Sequence, residues 1–255
     1  MKKYAVITGA SSGIGVEFAK EFAKRGYALI LTARRKERLE KLAERLPVAC
    51  KLIAADLEKE EECYRFFREI EQLPIEVFIN NAGFGCWGRF TDTGLERELS
   101  MIRVNVEAVH ILTKLALKNM QRQGRGYILN VASSAGLIPA GPYMGTYYAT
   151  KAYVTSLTRA IAAEQCQMHS RIYVGCLCPG PVDTEFNDVA DVTFSLKGIS
   201  ASRCVKYAVR QMWRRKTVIV PTLPMKFVTT CGRFLPQELF IKMTGRQQKK
   251  KGTAN

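Results

Sequence analysis

Histidine is almost missing from this sequence, whose 255 residues include only two, His110 and His169. Neither lies near a pair of cysteines, and the eight cysteines form no CxxC motif, so we expect no zinc or other metal site. No run of about 18 uncharged apolar residues occurs, so we expect no membrane-spanning helix. The N-terminal stretch MKKYAVITGASSG lacks the long apolar core of a signal peptide. We therefore expect a cytoplasmic protein with reduced thiols.

Acidic residues are scarce at the C-terminal end. From residue 201 to 255, 13 Lys and Arg stand against one acid, Glu238, which accounts for +12 of the formal net charge of +16. This asymmetry indicates either an anionic partner surface or substrate, or a solvated face with a frayed basic tail. Charge is the only feature that points to nucleic acid, so no nucleic-acid partner is expected.

Short apolar runs alternate with amphipathic segments along the whole chain. The runs are nearly continuous in apolar residues, as strands buried on both faces of a parallel sheet are. They are YAVIT (4–8), ALILT (28–32), CKLIAA (50–55), EVFIN (76–80), YILNVA (127–132), IYVGCLC (172–178) and TVIV (217–220). No linker interrupts the alternation. We therefore predict one α/β domain over residues 1–255, with a Rossmann-type, doubly wound, mainly parallel sheet of about seven strands.

Two segments depart from this alternation. Residues 185–200 have weak periodicity, and we predict that they form a substrate loop. Residues 221–255 form a basic, partly apolar C-terminal extension that contains Pro221, Pro224 and Pro236. The apolar part of this end of the chain fits three arrangements: a cover over the substrate cavity, part of a subunit interface, or an interfacial segment on a membrane surface.

A glycine-rich turn, TGASSGIG, spans residues 8–15 directly after the first apolar run. Gly9 allows a sharp turn, Gly13 lets a pyrophosphate approach the backbone, and Gly15 permits close packing of the helix that follows. The free N–H groups at the start of that helix suit a phosphate. The position after a strand and before a helix favours a dinucleotide site over a merely tight turn.

The end of the second apolar run indicates which dinucleotide is bound. An acid there would hold the ribose hydroxyl of NAD, but this chain has TARRKE instead. Arg34 and Arg35 suit a 2′-phosphate, and cations are disfavoured at a helix N-terminus unless an anion compensates them. We predict NADP(H) as the cofactor.

Further motifs follow the glycine-rich turn in a set order. They are AAD, NNAG (80–83), an asparagine in a later helix, a serine, YxxxK and PGPVDT. This order resembles that of short-chain dehydrogenases/reductases of the TGxxxGIG type, from Tyr4 to about Thr184. The resemblance implies a Rossmann fold, a nicotinamide cofactor, hydride transfer to or from a carbonyl carbon, and a homodimer or homotetramer.

The resemblance also implies which residues bind the cofactor. Asp56 would lie near the adenine, Asn80 and Ala82 beside its ribose, and the PGPVDT residues along the nicotinamide. The full set is Thr8, Gly9, Ser11, Ser12, Gly13, Ile14, Gly15, Arg34, Arg35, Asp56, Asn80, Ala82, Gly83, Tyr147, Lys151, Pro179, Gly180, Val182 and Thr184.

A proton donor is needed wherever a carbonyl is reduced, and the scarcity of histidine favours a tyrosine. A phenol has a pKa near 10, and a nearby ammonium would lower it. Tyr147 lies four residues before Lys151 and Tyr148 lies three before it, so helix geometry alone admits either. The resemblance selects Tyr147, and it gives Lys151 a second role at the nicotinamide ribose.

Two more polar residues complete the implied catalytic set. Either Ser133 or Ser134 would hold the carbonyl oxygen. The family's usual spacing to the tyrosine selects Ser134, whereas the local NVASSAG pattern selects Ser133, which we prefer. Asn105 matches the family asparagine, which would hold a water that connects Lys151 to solvent. The alternative for Asn105 is a buried amide bonded to a carbonyl.

The expected pocket wall is mostly apolar. It includes Leu137, Ile138, Pro139, Tyr143 and Met144, with Cys86 and Trp87 as further candidates. We therefore predict an NADP(H)-dependent oxidoreductase that interconverts a carbonyl and an alcohol on a hydrophobic small molecule. The alternative is a non-catalytic nucleotide-binding or membrane-surface-associated protein that uses the same fold.

Overall fold

The computed structural model describes residues 3–184 and 198–249. The strands of this part of the chain are numbered in chain order. They are β1 Tyr4–Thr8, β2 Ala28–Ala33, β3 Cys50–Ala54, β4 Ile75–Asn80, β5 Gly126–Val131, β6 Ile172–Leu177, β7 Val182–Asp183, β8 Ile199–Ser200 and β9 Val218–Ile219.

The α-helices of the same residues lie between and after these strands. They are α1 Gly13–Lys24, α2 Lys36–Ala43, α3 Glu60–Arg68, α4 Leu95–Ile102, α5 Val109–Gln123, α6 Gly145–Gln167, α7 Ala201–Trp213, α8 Leu223–Cys231 and α9 Gln237–Lys249. A π-helical segment, Arg103–Ala108, joins α4 to α5, and 3-10 turns span Ser134–Leu137 and Gly232–Phe234.

The main sheet has seven strands in the order β3-β2-β1-β4-β5-β6-β9, and every neighbouring pair is parallel. Strands β7 and β8 form a separate two-stranded parallel pair. The predicted single-domain, doubly wound α/β fold is confirmed. Because β1 pairs with both β2 and β4, the strand order reverses there, and this is where open α/β sheets bind ligands.

Both faces of the sheet are buried, which explains the continuous apolar runs. Leu29 and Leu31 of β2 belong to one core cluster with Phe18 of α1, whereas Ile30 belongs to the opposite cluster with Phe66 of α3. Successive strand side chains point to opposite faces. The two clusters together hold the helices on both sides of the sheet.

The C-terminal segment is helical, and its prolines lie at helix starts. Pro224 is in the first turn of α8, and Pro236 directly precedes α9. Proline is tolerated there because the first N–H groups of a helix have no intrahelical acceptor. Among the described residues, none of the helices combines the length and apolar character needed to cross a bilayer. Most of the predicted substrate loop, residues 185–197, lies outside the described residues.

The core packing predicts a large cost for removing one central ring. Phe78 in β4 has no exposed surface and packs against Phe67. We expect Phe78→Ala to lower the free energy of unfolding by about 3–5 kcal/mol, because it leaves a cavity in a packed core. Urea denaturation measures this. The control is Phe90→Ala, since Phe90 is 76% exposed and its removal should change stability little. Equal effects of the two substitutions would contradict the packing.

Candidate active site

A cleft at the carboxyl ends of the strands encloses a cavity of about 400 Å³. Most of the predicted site residues line it. They are Gly9, Ser11, Ser12, Gly13, Ile14, Arg34, Arg35, Asp56, Ala82, Gly83, Ser133, Tyr147, Lys151, Pro179, Gly180, Val182 and Thr184. Residues from seven separate segments of the sequence therefore share one cavity.

The glycine-rich turn has the shape of a cradle. Gly9 and Gly13 have φ of +62° and +52°, a backbone region that residues with a side chain rarely adopt. A Cβ on Gly13 would lie 3.1 Å from the Cβ of Thr184, and one on Gly15 would collide with the carbonyl oxygen of Gly9. Helix α1 begins at Gly13, so its N-terminus is part of the cleft wall. Backbone N–H groups in such a cradle fit the phosphates of a dinucleotide.

Thr8 and Asn81 support this turn from behind. The backbone N–H groups of Asn81 and Ala82 donate to Thr8 Oγ1 at 2.9 and 3.0 Å. The Asn81 side chain donates to the carbonyl oxygens of Thr8 and Gly9 at 2.9 and 3.1 Å. Thr8 is a predicted cofactor residue that the structure places behind the cleft wall, where it joins the end of β1 to the end of β4.

Asn80 is also predicted at the cofactor, but it is buried inside the sheet. Its Nδ2 donates to Asn130 Oδ1 at 2.9 Å and to Thr113 Oγ1 at 3.0 Å. Asn130 Nδ2 in turn donates to Thr158 Oγ1 at 2.9 Å. These hydrogen bonds join β4 and β5 to α5 and α6. The structure brings Asn81, the second asparagine of NNAG, to the cleft and leaves Asn80 in this network.

Arg34 and Arg35 follow the end of β2 and also line the cleft. Both are exposed, and neither forms an ion pair with a described residue. Arg35 precedes the first residue of α2 and provides no side-chain cap to that helix. Two exposed cations beside a helix N-terminus fit an anionic group in the cleft.

Tyr147 and Ser133 lie opposite each other and share a hydrogen bond between their hydroxyl groups. Gly136 makes this approach feasible, because a Cβ there would collide with the carbonyl oxygen of Lys151 in α6. Ser134 begins the 3-10 turn, and its backbone N–H donates to the Pro179 carbonyl at 2.8 Å. Of the two candidate serines, the structure brings Ser133 to Tyr147.

Lys151 is buried one helical turn after Tyr147. Its Nζ donates to the Val131 carbonyl at 3.0 Å and lies 5.8 Å from the centroid of the Tyr147 ring.

Burial lowers the pKa of Lys151 to about 8, and the nearby Cys178 thiol opposes this shift in part. Burial also raises the pKa of Tyr147 to about 12, although the hydrogen bond from Ser133 opposes this. Desolvation is therefore the largest influence on the pKa of both groups.

Asn105 lies in the π-helical segment and is fully buried. Its Oδ1 accepts from the Phe84 N–H at 3.1 Å, while its Nδ2 donates to the Phe84 carbonyl at 2.9 Å and to Thr150 Oγ1 at 3.2 Å. A Cβ on Gly83 would lie 2.8 Å from Asn105 Oδ1 and 3.3 Å from Lys151 Nζ. The Asn105 amide therefore fixes the backbone beside the lysine. Such π-bulges occur frequently at functional sites.

The C-terminal helices α8 and α9 cover the rest of the cleft. They contribute lining residues that the motif analysis does not name: Met225, Val228, Phe240, Thr244, Gln247 and Gln248. This agrees with the first of the three arrangements expected for the segment, a cover over the cavity. The signal in the sequence is the spacing of Phe240, Thr244 and Gln248, which places all three on one helix face.

Gln248 anchors this cover to two other elements. Its side-chain amide donates to the Tyr148 hydroxyl, and its backbone carbonyl oxygen accepts from Trp87 Nε1 at 3.1 Å. Tyr148 therefore lines the cleft, although its position beside Tyr147 suggests only packing. Of the expected apolar wall, Ile138 and Met144 line the cavity.

Three comparisons agree with this geometry. A family model described as short chain dehydrogenase matches residues 3–192. The chain belongs to this family. A very-long-chain 3-oxoacyl-CoA reductase from Anas platyrhynchos is 36% identical over 200 residues, which cover 75% of this chain and 63% of that protein. The chain therefore matches less than two thirds of the length of this relative.

Solved structures of the family have the same fold. A short-chain dehydrogenase from Sphingobium yanoikuyae in complex with NADPH matches with a TM-score of 0.81 and 30% identity, covering 94% of this chain and 95% of that one. A short chain dehydrogenase/reductase from Burkholderia phymatum in complex with NAD has the same TM-score at 22% identity, covering 89% and 92%. A nicotinamide dinucleotide is thus the cofactor type of this oxidoreductase fold, and the fold alone does not choose between NAD and NADP.

The buried lysine predicts a pH-dependent stability. The folded-state pKa of Lys151, about 8, is below that of a lysine in the unfolded chain, so the unfolded state binds more protons between about pH 8 and 10. Stability should therefore rise with pH in this window, relative to a Lys151→Met variant, by about 1–2 kcal/mol between pH 8 and 9.5. Urea unfolding of both proteins at the two pH values measures the difference. A pH-independent difference would contradict the shift.

Proposed function

We propose that this protein is an NADP(H)-dependent oxidoreductase that interconverts a carbonyl and an alcohol on a hydrophobic small molecule. The observation that carries the proposal is the contact of Ser133, Tyr147 and Lys151 inside a cleft that continues into the glycine cradle. A proton donor, a second hydroxyl and a buried cation therefore lie next to a dinucleotide-shaped site.

The cofactor assignment uses the two ends of the cleft. The cradle around Gly9 and Gly13 would hold the pyrophosphate at the N-terminus of α1, and Arg34 with Arg35 would hold the 2′-phosphate. Lys151 would bind the nicotinamide ribose. When bound, the dinucleotide supplies the hydride that reduces a carbonyl carbon. The NADPH in the Sphingobium yanoikuyae structure supports the choice of the phosphorylated cofactor.

The protein's own residues handle the substrate oxygen. Ser133 and Tyr147 donate hydrogen bonds to it, and Tyr147 gives up its proton as negative charge develops there. The Lys151 ammonium stabilises the resulting phenolate, and Asn105 would hold a water that connects Lys151 to solvent, from which the proton is replaced. Near neutral pH the phenol is protonated and most of the lysine is charged, given pKa values of about 12 and about 8. This is the protonation state that reduction requires.

The substrate class follows from the wall beside these hydroxyls. Ile138, Met144, Met225, Val228 and Phe240 are apolar and line the cavity. A hydrophobic ketone or aldehyde fits such a wall, and the similarity to a very-long-chain 3-oxoacyl-CoA reductase supports a long apolar group. The proposal includes a homodimer or homotetramer and contact with a membrane surface through the basic C-terminal segment.

Removing one hydroxyl tests the proposed proton donor. We expect Tyr147→Phe to reduce NADPH-dependent turnover about 10²–10⁴-fold, because the ring remains but the proton is lost. The assay follows NADPH absorbance against a panel of aldehydes and ketones, with NADPH binding measured separately by fluorescence. Tyr153→Phe on the same helix is the control, since Tyr153 lies outside the cleft.

The same assay distinguishes the two serines. Ser133→Ala should lower turnover strongly, whereas Ser134→Ala should lower it less. Full turnover by Tyr147→Phe would contradict the proposed donor. A wild-type protein that binds NADPH but reduces no member of the panel would instead favour the non-catalytic nucleotide-binding alternative.

Cofactor preference depends on the two arginines. We expect an Arg34→Ala/Arg35→Ala variant to raise the Kd for NADPH about 10–100-fold and to leave the Kd for NADH nearly unchanged, because only NADPH has the 2′-phosphate. Isothermal titration measures both constants. The matched control is Lys36→Ala, a neighbouring cation that pairs with Glu40 outside the cleft. Equal losses for both cofactors would contradict the assignment.

A further inference from the structure

The cover over the cleft has a second apolar face that points away from the protein. Its side chains are Leu223 and Phe227 of α8, Phe234 of the 3-10 turn, and Leu239 and Met243 of α9, all of which are exposed. Phe227 is 69% and Phe234 is 87% exposed, far more than aromatic rings usually are in a globular protein. We call these five residues the outer C-terminal surface.

Helix periodicity separates this surface from the cleft. Leu223 and Phe227 are four residues apart, as are Leu239 and Met243, so each pair shares one helix face. The next residues along the chain, Val228 and Phe240, line the cleft instead. Each helix therefore has apolar side chains that line the cavity and others that are exposed. Exposed apolar groups arranged in this way mark an interaction site.

The charges between these side chains indicate the partner. Arg233, Lys242, Arg246 and Lys249 are interspersed along the sequence with the residues of the outer C-terminal surface, whereas Glu238 is the only acid from residue 221 to 249. A second copy of the chain is disfavoured, because a two-fold interface would bring the same cations together. Large apolar side chains among lysines and arginines instead fit a layer with an apolar interior and anionic headgroups.

We propose that the outer C-terminal surface docks on an anionic lipid bilayer, with Phe227 and Phe234 inserted at the boundary between headgroups and acyl chains. The same helices also line the cleft, so the bilayer surface would lie beside the cavity. The cleft then takes its apolar substrate from the bilayer surface. The docking deepens the membrane contact included in the proposed function, and this last step also rests on the proposed reductase activity.

Vesicle binding tests the docking directly. The full-length protein is sedimented with phosphatidylcholine vesicles, with and without about 30% phosphatidylserine. We expect binding only to the anionic vesicles, and weaker binding as salt is raised. A Phe227→Ser/Phe234→Ser variant should bind at least about tenfold more weakly, because two rings no longer leave water. The control is Met168→Ser, since Met168 is 64% exposed at the other end of α6 from Tyr147.

Depth of insertion separates docking from charge attraction alone. Fluorescence of a Phe234→Trp variant should be quenched by vesicles whose acyl chains are brominated, beyond the quenching of the native Trp87 and Trp213 background. A Met168→Trp variant should show no added quenching. Both substitutions are at exposed positions, so folding should be retained, and circular dichroism checks this.

Two results would overturn the proposal. One is equal binding of the wild-type protein and the Phe227→Ser/Phe234→Ser variant to anionic vesicles. The other is a change of oligomeric state by that variant in sedimentation velocity, with no vesicle binding by either protein, which would make the surface an interface between copies. NADPH oxidation with the panel of aldehydes and ketones is measured in parallel. Loss of docking with intact reduction refutes only the docking, and docking without reduction refutes only the proposed reductase.

Discussion

The ammonium of Lys151 is buried at the floor of the cleft, and Val131 provides its one protein acceptor among the described residues. Burying a charge with so few partners is costly, so its surroundings must be held in place. Gly83 and Gly136 let two backbone segments approach the lysine more closely than a side chain would allow. The pairing of β5 with β6 positions the Val131 carbonyl. The fold thus holds a buried ammonium beside the Tyr147 ring, although burial of this charge is unfavourable.

The two ends of the cleft follow different physical rules. The cradle around Gly9 and Gly13 is made of backbone, so its shape depends on left-handed conformations and on the support of Thr8. The opposite end is made of side chains from α6, α8 and α9, which differ in size and are held by few polar contacts. Among these contacts is the link from Gln248 to Tyr148. The backbone cradle suits the pyrophosphate, which is the same in every dinucleotide. The end made of side chains can be adapted to different apolar molecules.

Periodicity and motif order predict much of this arrangement from the sequence, including the seven-stranded sheet, the glycine turn and the positions of Tyr147 and Lys151. Asn80 shows the limit of motif reading. Asn80 and Asn81 have the same side chain, so residue type does not distinguish them. Because side chains alternate along β4, Asn80 lies in the sheet and Asn81 lies at the cleft. The inward-facing residues of α9 are equally hard to predict, because nothing local to Gln248 indicates that it meets Tyr148, a hundred positions earlier. Long-range contacts of this kind are decided by packing.

The strand order has a further consequence for how the protein is made. Strands β3, β2, β1 and β4 are neighbours in the sheet and all lie in the first 80 residues, whereas β5, β6 and β9 are added on one side only. A nascent chain emerges from its N-terminus, so these four strands can pair before Tyr147 has been synthesised. The phosphate cradle and the two arginines belong to this early half. The glycine cradle is therefore synthesised first, Tyr147 next and the C-terminal cover last.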